Sequence, residues 1–127
     1  MENPHHVLVV DDQKGVRQLL QIFFQEEGFK TTAVSNGQEA VNFLHSQKPD
    51  LIVMDVKMPI MSGLEALSHI KKLHPGIPVI MMTAYADEVK RKKLVNLGAK
   101  MCLFKPLDLE QLLDTVNRIL NNYILEN

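Results

Sequence analysis

Short apolar runs alternate with longer stretches of helical periodicity along the chain. The runs are "HVLVV" (6–10), "KTTAVS" (30–35), "DLIVM" (50–54), "PVIMMT" (78–83) and "MCLF" (101–104). Several are apolar without a break, the pattern of strands buried on both faces of a parallel sheet. Between them, Val16, Leu19, Leu20, Phe23 and Phe24 fall at helical spacing and predict one apolar face. Gly28 marks the stop of that helix. Asn36 with Glu39, Ser62 with Glu65, and Asp108 with Gln111 have the spacing of a capping box at a helix start. A last helix carries Leu109, Leu112, Leu113, Val116, Ile119 and Leu120 on one stripe. Five strand-then-helix units in succession predict an α/β fold, an open parallel sheet covered by helices on both faces.

Such a sheet dictates where chemistry sits. Ligands bind beyond the C-terminal ends of the strands, where the strand order reverses. The first run ends in Asp11-Asp12, the third in Asp55, the fourth in Thr83 and the fifth in Lys105. The second ends in Ser35-Asn36, a turn and a cap. Taken singly, each of these residues has a plainer role. An Asp caps a helix well, Asp55 can open a turn before "MP", Thr83 suits a strand, and Lys105-Pro106 suits a turn. One cap does not need two carboxylates, however, and like charges at a buried strand end repel.

Composition narrows the classes. The 127 residues suit one domain, and 46% hydrophobic residues suit a globular one. A net charge of −1 offers no electrostatic case for nucleic acid or an anionic membrane. No apolar run approaches the ~20 residues of a spanning helix, and "MENPHH" lacks the features of a signal peptide. The single cysteine, Cys102, cannot close an internal disulfide, so the cytoplasm is the expected compartment. The histidines share no metal-ligand spacing; His5, His6, His69 and His74 are expected at the surface. The seven methionines read as core filler, with Met58, Met61, Met81 and Met82 near the strand ends. "KRKK" (90–93) reads as the solvated face of a short helix, with docking to an acidic partner the next reading.

Three carboxylates on one rim call for a cation between them. Mg²⁺ takes oxygen ligands and is typically held by carboxylates together with substrate phosphate. A metal beside phosphate suggests phosphoryl transfer, for which Asp can be the covalent acceptor. Lys105 supplies an ammonium group and Thr83 a hydroxyl for phosphoryl oxygens.

Asp11-Asp12, Asp55, Thr83-Ala84 and Lys105-Pro106, in this order and spacing, resemble the receiver domain of two-component response regulators. "PDLIVMD" (49–55), "MPIMSG" (58–63) and "LGA" (97–99) add to the likeness, which covers nearly the whole chain. The resemblance implies a single receiver domain with a core over about 5–121 and no effector domain. It implies a doubly wound (βα)5 flavodoxin-like fold with strand order 2-1-3-4-5. It implies that Asp55 accepts a phosphoryl group from a phosphohistidine, without turnover on small substrates. Mg²⁺, with Mn²⁺ or Ca²⁺ able to substitute, would be held directly by Asp12 and Asp55, through water by Asp11, and by the backbone carbonyl of Lys57. Thr83 and Lys105 would contact the phosphoryl oxygens, and the Lys105–Pro106 bond would be cis.

There are departures from the family pattern. Cys102 stands where many receivers carry an aromatic switch residue, so a large rotamer switch is not expected. Leu107 replaces a frequent Phe, and Ser62-Gly63 replaces Asp-Gly. By the same resemblance, Lys57 and Tyr85 stand at the positions that flank the path of attacking water in the family, and a long cation and a ring there predict slow self-hydrolysis. The stretch "VDDQKGVR" (10–17) with Lys57 looks most like the single-domain receivers of sporulation phosphorelays. The implied partners are a sensor histidine kinase, a histidine phosphotransferase and a phosphatase, with a monomeric chain and no nucleic acid or membrane. Gln13, Lys14, Gly15, Arg17 and Leu20 are candidate contacts, beside Met58, Pro59, Tyr85 and Leu107. The alternative is a binding switch that captures an effector through the fourth helix, fifth strand and fifth helix. A small-ester hydrolase ranks last, because no cap domain encloses a substrate.

Overall fold

The computed structural model describes residues 4–84 and 88–121. Five strands, β1 (His6–Val10), β2 (Lys30–Val34), β3 (Leu51–Asp55), β4 (Val79–Thr83) and β5 (Met101–Phe104), alternate with five helices. These are α1 (Lys14–Glu26), α2 (Gly37–Leu44), α3 (Gly63–Leu73), α4 (Glu88–Asn96) and α5 (Leu109–Asn121). The strands form one parallel sheet in the order β2-β1-β3-β4-β5. This is the doubly wound, flavodoxin-like order that the resemblance implies.

The unbroken apolar runs have a simple cause. Successive strand residues point to opposite faces, and here both faces are covered. Leu8, Val10, Ile52, Met54, Val79 and Met81 pack with residues of α2, α3 and α4. Val7, Val9, Leu51, Val53, Ile80 and Met82 pack with α1 and α5. The three central strands, β1, β3 and β4, are buried at every position.

The helix starts follow their caps. The Asn36 side chain accepts from the Glu39 N–H, and Ser62 accepts from the Glu65 N–H. Asp108 Oδ1 accepts from the N–H groups of Glu110 and Gln111. The Glu39 carboxylate departs from the simple capping box: it accepts from the Ser35 N–H and hydroxyl at 2.6 and 2.7 Å, tying β2 to α2. Gly28 follows α1 at φ +94°, the left-handed conformation of a helix stop.

Two surface expectations are corrected. Leu19, expected on the buried face of α1, is 53% exposed. The buried stripe centres on Leu20 and Phe24, and one residue is a rotation of about 100°. Leu19 therefore sits at the stripe's edge. His6, expected at the surface, is buried in β1, hydrogen-bonded to Thr32 Oγ1 and edge-on to Phe43. Burial holds its pKa below 6.5. His74 is half-buried and bonded to the Leu44 carbonyl. Of the basic run, Lys92 and Lys93 are exposed as expected. Among the described residues, no helix is long and apolar enough to cross a membrane.

The loop after β3 holds local strain. Ile60 has φ +69° and is 80% exposed, and the Met61 N–H donates to the Pro59 carbonyl at 2.7 Å around it. A β-branched residue is disfavoured at positive φ, whereas glycine is not. Ile60→Gly is expected to stabilise the fold by about 0.5–1 kcal/mol, after the larger unfolded-state entropy of glycine is counted. The check is a higher urea midpoint at unchanged m-value; a lower midpoint would mean that the isoleucine side chain stabilises the loop.

Candidate functional site

The order of strands reverses between β1 and β3, so the loops that follow them diverge and leave a crevice at the sheet's C-terminal edge. Asp11 and Asp12 leave β1 at this point, and Asp55 ends β3. Thr83 ends β4, and Lys105 follows β5 with its N–H donating to the Thr83 carbonyl at 2.7 Å. The Lys105–Pro106 peptide bond is cis. Asp12, Asp55, Lys57, Thr83 and Lys105 line one cavity of about 540 Å³.

Asp11 is fully buried and fixed. Its N–H donates to the Val34 carbonyl at 3.2 Å, its carbonyl accepts from Arg17 Nη1 at 2.9 Å, and its Oδ1 accepts from the Gln13 N–H at 2.9 Å. Its Oδ2 is buried and has no hydrogen-bond partner. Asp12 beside it is exposed. Asp55 is 6% exposed. The Lys105 ammonium lies between the two buried carboxylates, 3.3 Å from Asp55 Oδ1 and 3.6 Å from Asp11 Oδ2. Burial pushes the Asp55 pKa above its ordinary value; Lys105 opposes that rise, and the charges of Asp11 and Asp12 add to it.

One oxygen from each of Asp11, Asp12 and Asp55 lies within 4.8 Å of the others. The Lys105 ammonium alone does not neutralise three carboxylates, and a buried carboxylate oxygen without a hydrogen bond is costly. The donors are all oxygen. Together these features fit a hard divalent cation of the Mg²⁺ class.

The plainer roles of the acidic pair fail here. The N-cap of α1 is Gln13, whose side chain makes no cap bond, and Asp55 is buried rather than solvated.

The proposed partner contacts divide. Gln13, Lys14, Gly15 and Pro59 are exposed, and Leu107 is half-buried against the core. Met58 is only 9% exposed and packs in the core, so it offers little surface. Leu20 is fully buried and is excluded as a contact, because it anchors the stripe of α1. Arg17 is half-buried and committed to Asp11. Tyr85 lies outside the described residues. Cys102, in place of an aromatic, is buried in the core, and burial raises its thiol pKa.

The sequence showed Gly63 only as part of the Ser62-Gly63 pair, with no structural role attached to the glycine. Its N–H donates to the Val56 carbonyl at 2.7 Å, and a Cβ there would collide with the Asp55 carbonyl and the Val56 backbone. Only glycine lets α3 start this close to the acidic strand end. The glycine itself was the signal, standing just after the Ser62 cap.

Comparison with known proteins agrees with this geometry. A family model described as the response regulator receiver domain matches residues 7–117. The chain is 38% identical over 114 residues to sporulation initiation phosphotransferase F of Bacillus subtilis, covering 90% of this chain and 92% of that one. It is 39% identical to the chemotaxis protein CheY of Halobacterium salinarum, over 90% of this chain and 95% of that one. It resembles the response regulator TrrA of Thermotoga maritima, solved in complex with Mg²⁺-BeF, with a TM-score of 0.81 and 33% identity over 90% of this chain and 97% of that one.

Proposed function

The chain belongs to the response regulator receiver domain family of two-component signalling, and from that premise we propose that it is a phosphorelay intermediate. Asp55 accepts a phosphoryl group from a phosphohistidine and passes it to a second histidine. The observation that carries this reading is the Lys105 ammonium 3.3 Å from a buried Asp55 carboxylate in an open cavity. An Asp55 oxygen attacks phosphorus; the P–O bond forms as the P–N bond to the donor imidazole breaks, and the imidazole keeps the electron pair. Lys105 offsets charge on the phosphoryl oxygens and Thr83 donates a hydrogen bond to them. Mg²⁺, or Mn²⁺ or Ca²⁺ in its place, held by Asp11, Asp12, Asp55 and the Lys57 carbonyl, would neutralise charge on the transferring group.

The donor is a sensor histidine kinase and the acceptor a histidine phosphotransferase. Relay rather than switching is supported by the likeness to sporulation initiation phosphotransferase F and by the small, buried Cys102. With Lys57 at the cavity, self-hydrolysis is slow, on the order of minutes or longer. The test is a labelled phosphotransfer profile from histidine kinases, followed by incubation of the phosphorylated chain with histidine phosphotransferases. Label should appear on a second histidine within the lifetime of the acyl phosphate. If label stays on the chain while phosphorylation tightens capture of an effector through Val95, Met101 and Phe104, which are exposed on α4 and β5, the binding-switch alternative takes over.

A further inference from the structure

We infer that Arg17 is a positioning residue for the acidic cluster: by holding the Asp11 carbonyl, it fixes the residue whose second carboxylate oxygen, buried and without a hydrogen bond, lies beside Lys105 at the cation site. This rests on reading the three carboxylates as a Mg²⁺ site.

Asp11 stands in the two-residue turn between β1 and Gln13, the N-cap of α1; its N–H prolongs the β1–β2 pairing, but its carbonyl lies beyond it. Among the described residues, no backbone N–H donates to its carbonyl. The guanidinium of Arg17, one turn into α1, fills that gap at 2.9 Å. The other polar atoms of Asp11 are engaged as well: the N–H by Val34, and Oδ1 by the Gln13 N–H. Only Oδ2 is left, buried and without a hydrogen bond, beside Lys105 and the acidic cluster. A residue held at both backbone polar atoms and at one carboxylate oxygen presents the other oxygen in one direction. Such support around a metal ligand is commonly worth 10–100-fold in affinity.

The arrangement also explains why the half-buried Arg17 is not simply a docking residue. Its charge acts on Glu39 as well, at the start of α2. Glu39 in turn binds Ser35, the residue after Val34, whose carbonyl receives the Asp11 N–H.

The test is isothermal titration of MgCl₂ into the wild-type chain, Arg17→Gln and Arg17→Lys, with urea midpoints measured in EDTA. Arg17→Gln is expected to weaken Mg²⁺ binding roughly tenfold, with Arg17→Lys in between, since an ammonium keeps one donor for the carbonyl. Phosphorylation by a small phosphoryl donor, which docks no protein surface, should fall in the same order. Wild-type affinity in Arg17→Gln would overturn the inference and return Arg17 to the partner-contact role. Failure of the wild type itself to bind Mg²⁺ would instead overturn the metal site on which the inference stands. Should Arg17→Gln not fold, the lysine variant carries the comparison, and unchanged affinity in it is the overturning result.

Discussion

Asp55→Asn is expected to lose phosphorylation completely and, at the same time, to become the more stable protein. The first effect is chemical: an amide nitrogen or oxygen cannot form the acyl phosphate, so label from a phosphohistidine donor should be absent rather than reduced. The second follows from burial. Asp55 is desolvated and lies among the charges of Asp11 and Asp12, and its pKa is raised above the ordinary 3.8 despite Lys105. A carboxyl with a raised folded-state pKa binds its proton more tightly in the fold than in the unfolded chain. Ionisation therefore costs stability, and the cost grows as pH rises from 3.8 through the folded-state value. Asparagine removes that cost. In EDTA at neutral pH the variant should gain on the order of 1 kcal/mol by urea denaturation. The gain should shrink on acidification and vanish below 3.8, where the wild-type carboxyl is protonated in both states. Equal stability at neutral pH would show that Lys105 compensates the buried charge fully. Persistent label on the variant would place the acceptor elsewhere.

Lys105→Ala should separate the two duties of the ammonium group. As a cation 3.3 Å from Asp55 it stabilises charge on a transferring phosphoryl group. Loss of one such donor typically slows a reaction by about 10²–10³-fold, and that is the decrease expected in phosphotransfer rate. As a bridge between Asp55 and Asp11, 3.3 and 3.6 Å away, it also offsets two buried carboxylates. Removing it should destabilise the fold in EDTA by about 1 kcal/mol, a figure kept small because the lysine is partly solvated. Mg²⁺ should recover most of that loss, since a divalent cation neutralises the same oxygens. Binding of Mg²⁺ itself should survive, because lysine supplies no ligand. A variant as stable as wild type in EDTA would mean that water already screens the pair. A variant that cannot be rescued by Mg²⁺ would mean that the lysine stem, not its charge, holds the β5 end.

The legible part of this protein is its periodic part. Short runs marked the five strands to within a residue or two; β1, β3 and β4, covered on both faces, are apolar almost throughout, whereas the edge strand β2 carries Lys30, Thr31 and Thr32. Caps at Asn36, Ser62 and Asp108 were legible because the donors they satisfy lie within three residues along the chain. The strand ends carrying Asp11, Asp12, Asp55, Thr83 and Lys105 were legible once the sheet was, since parallel strands deliver their C-terminal ends to one edge.

The sequence by itself therefore determined the order of elements, the two-faced core and which edge bears the acidic cluster. Only the tertiary structure decided the rest. Where the α1 stripe points depends on how the helix settles on the sheet, which exposed Leu19 and buried Leu20. That Gly63 must stay bare depends on the close approach of α3 to the Asp55 backbone. That Arg17 donates to the Asp11 carbonyl depends on the helix setting its guanidinium beside an oxygen to which no backbone N–H donates among the described residues. Periodicity is a property of neighbours along the chain. A gap in hydrogen bonding, or a missing Cβ, acquires meaning only from atoms that folding brings beside it.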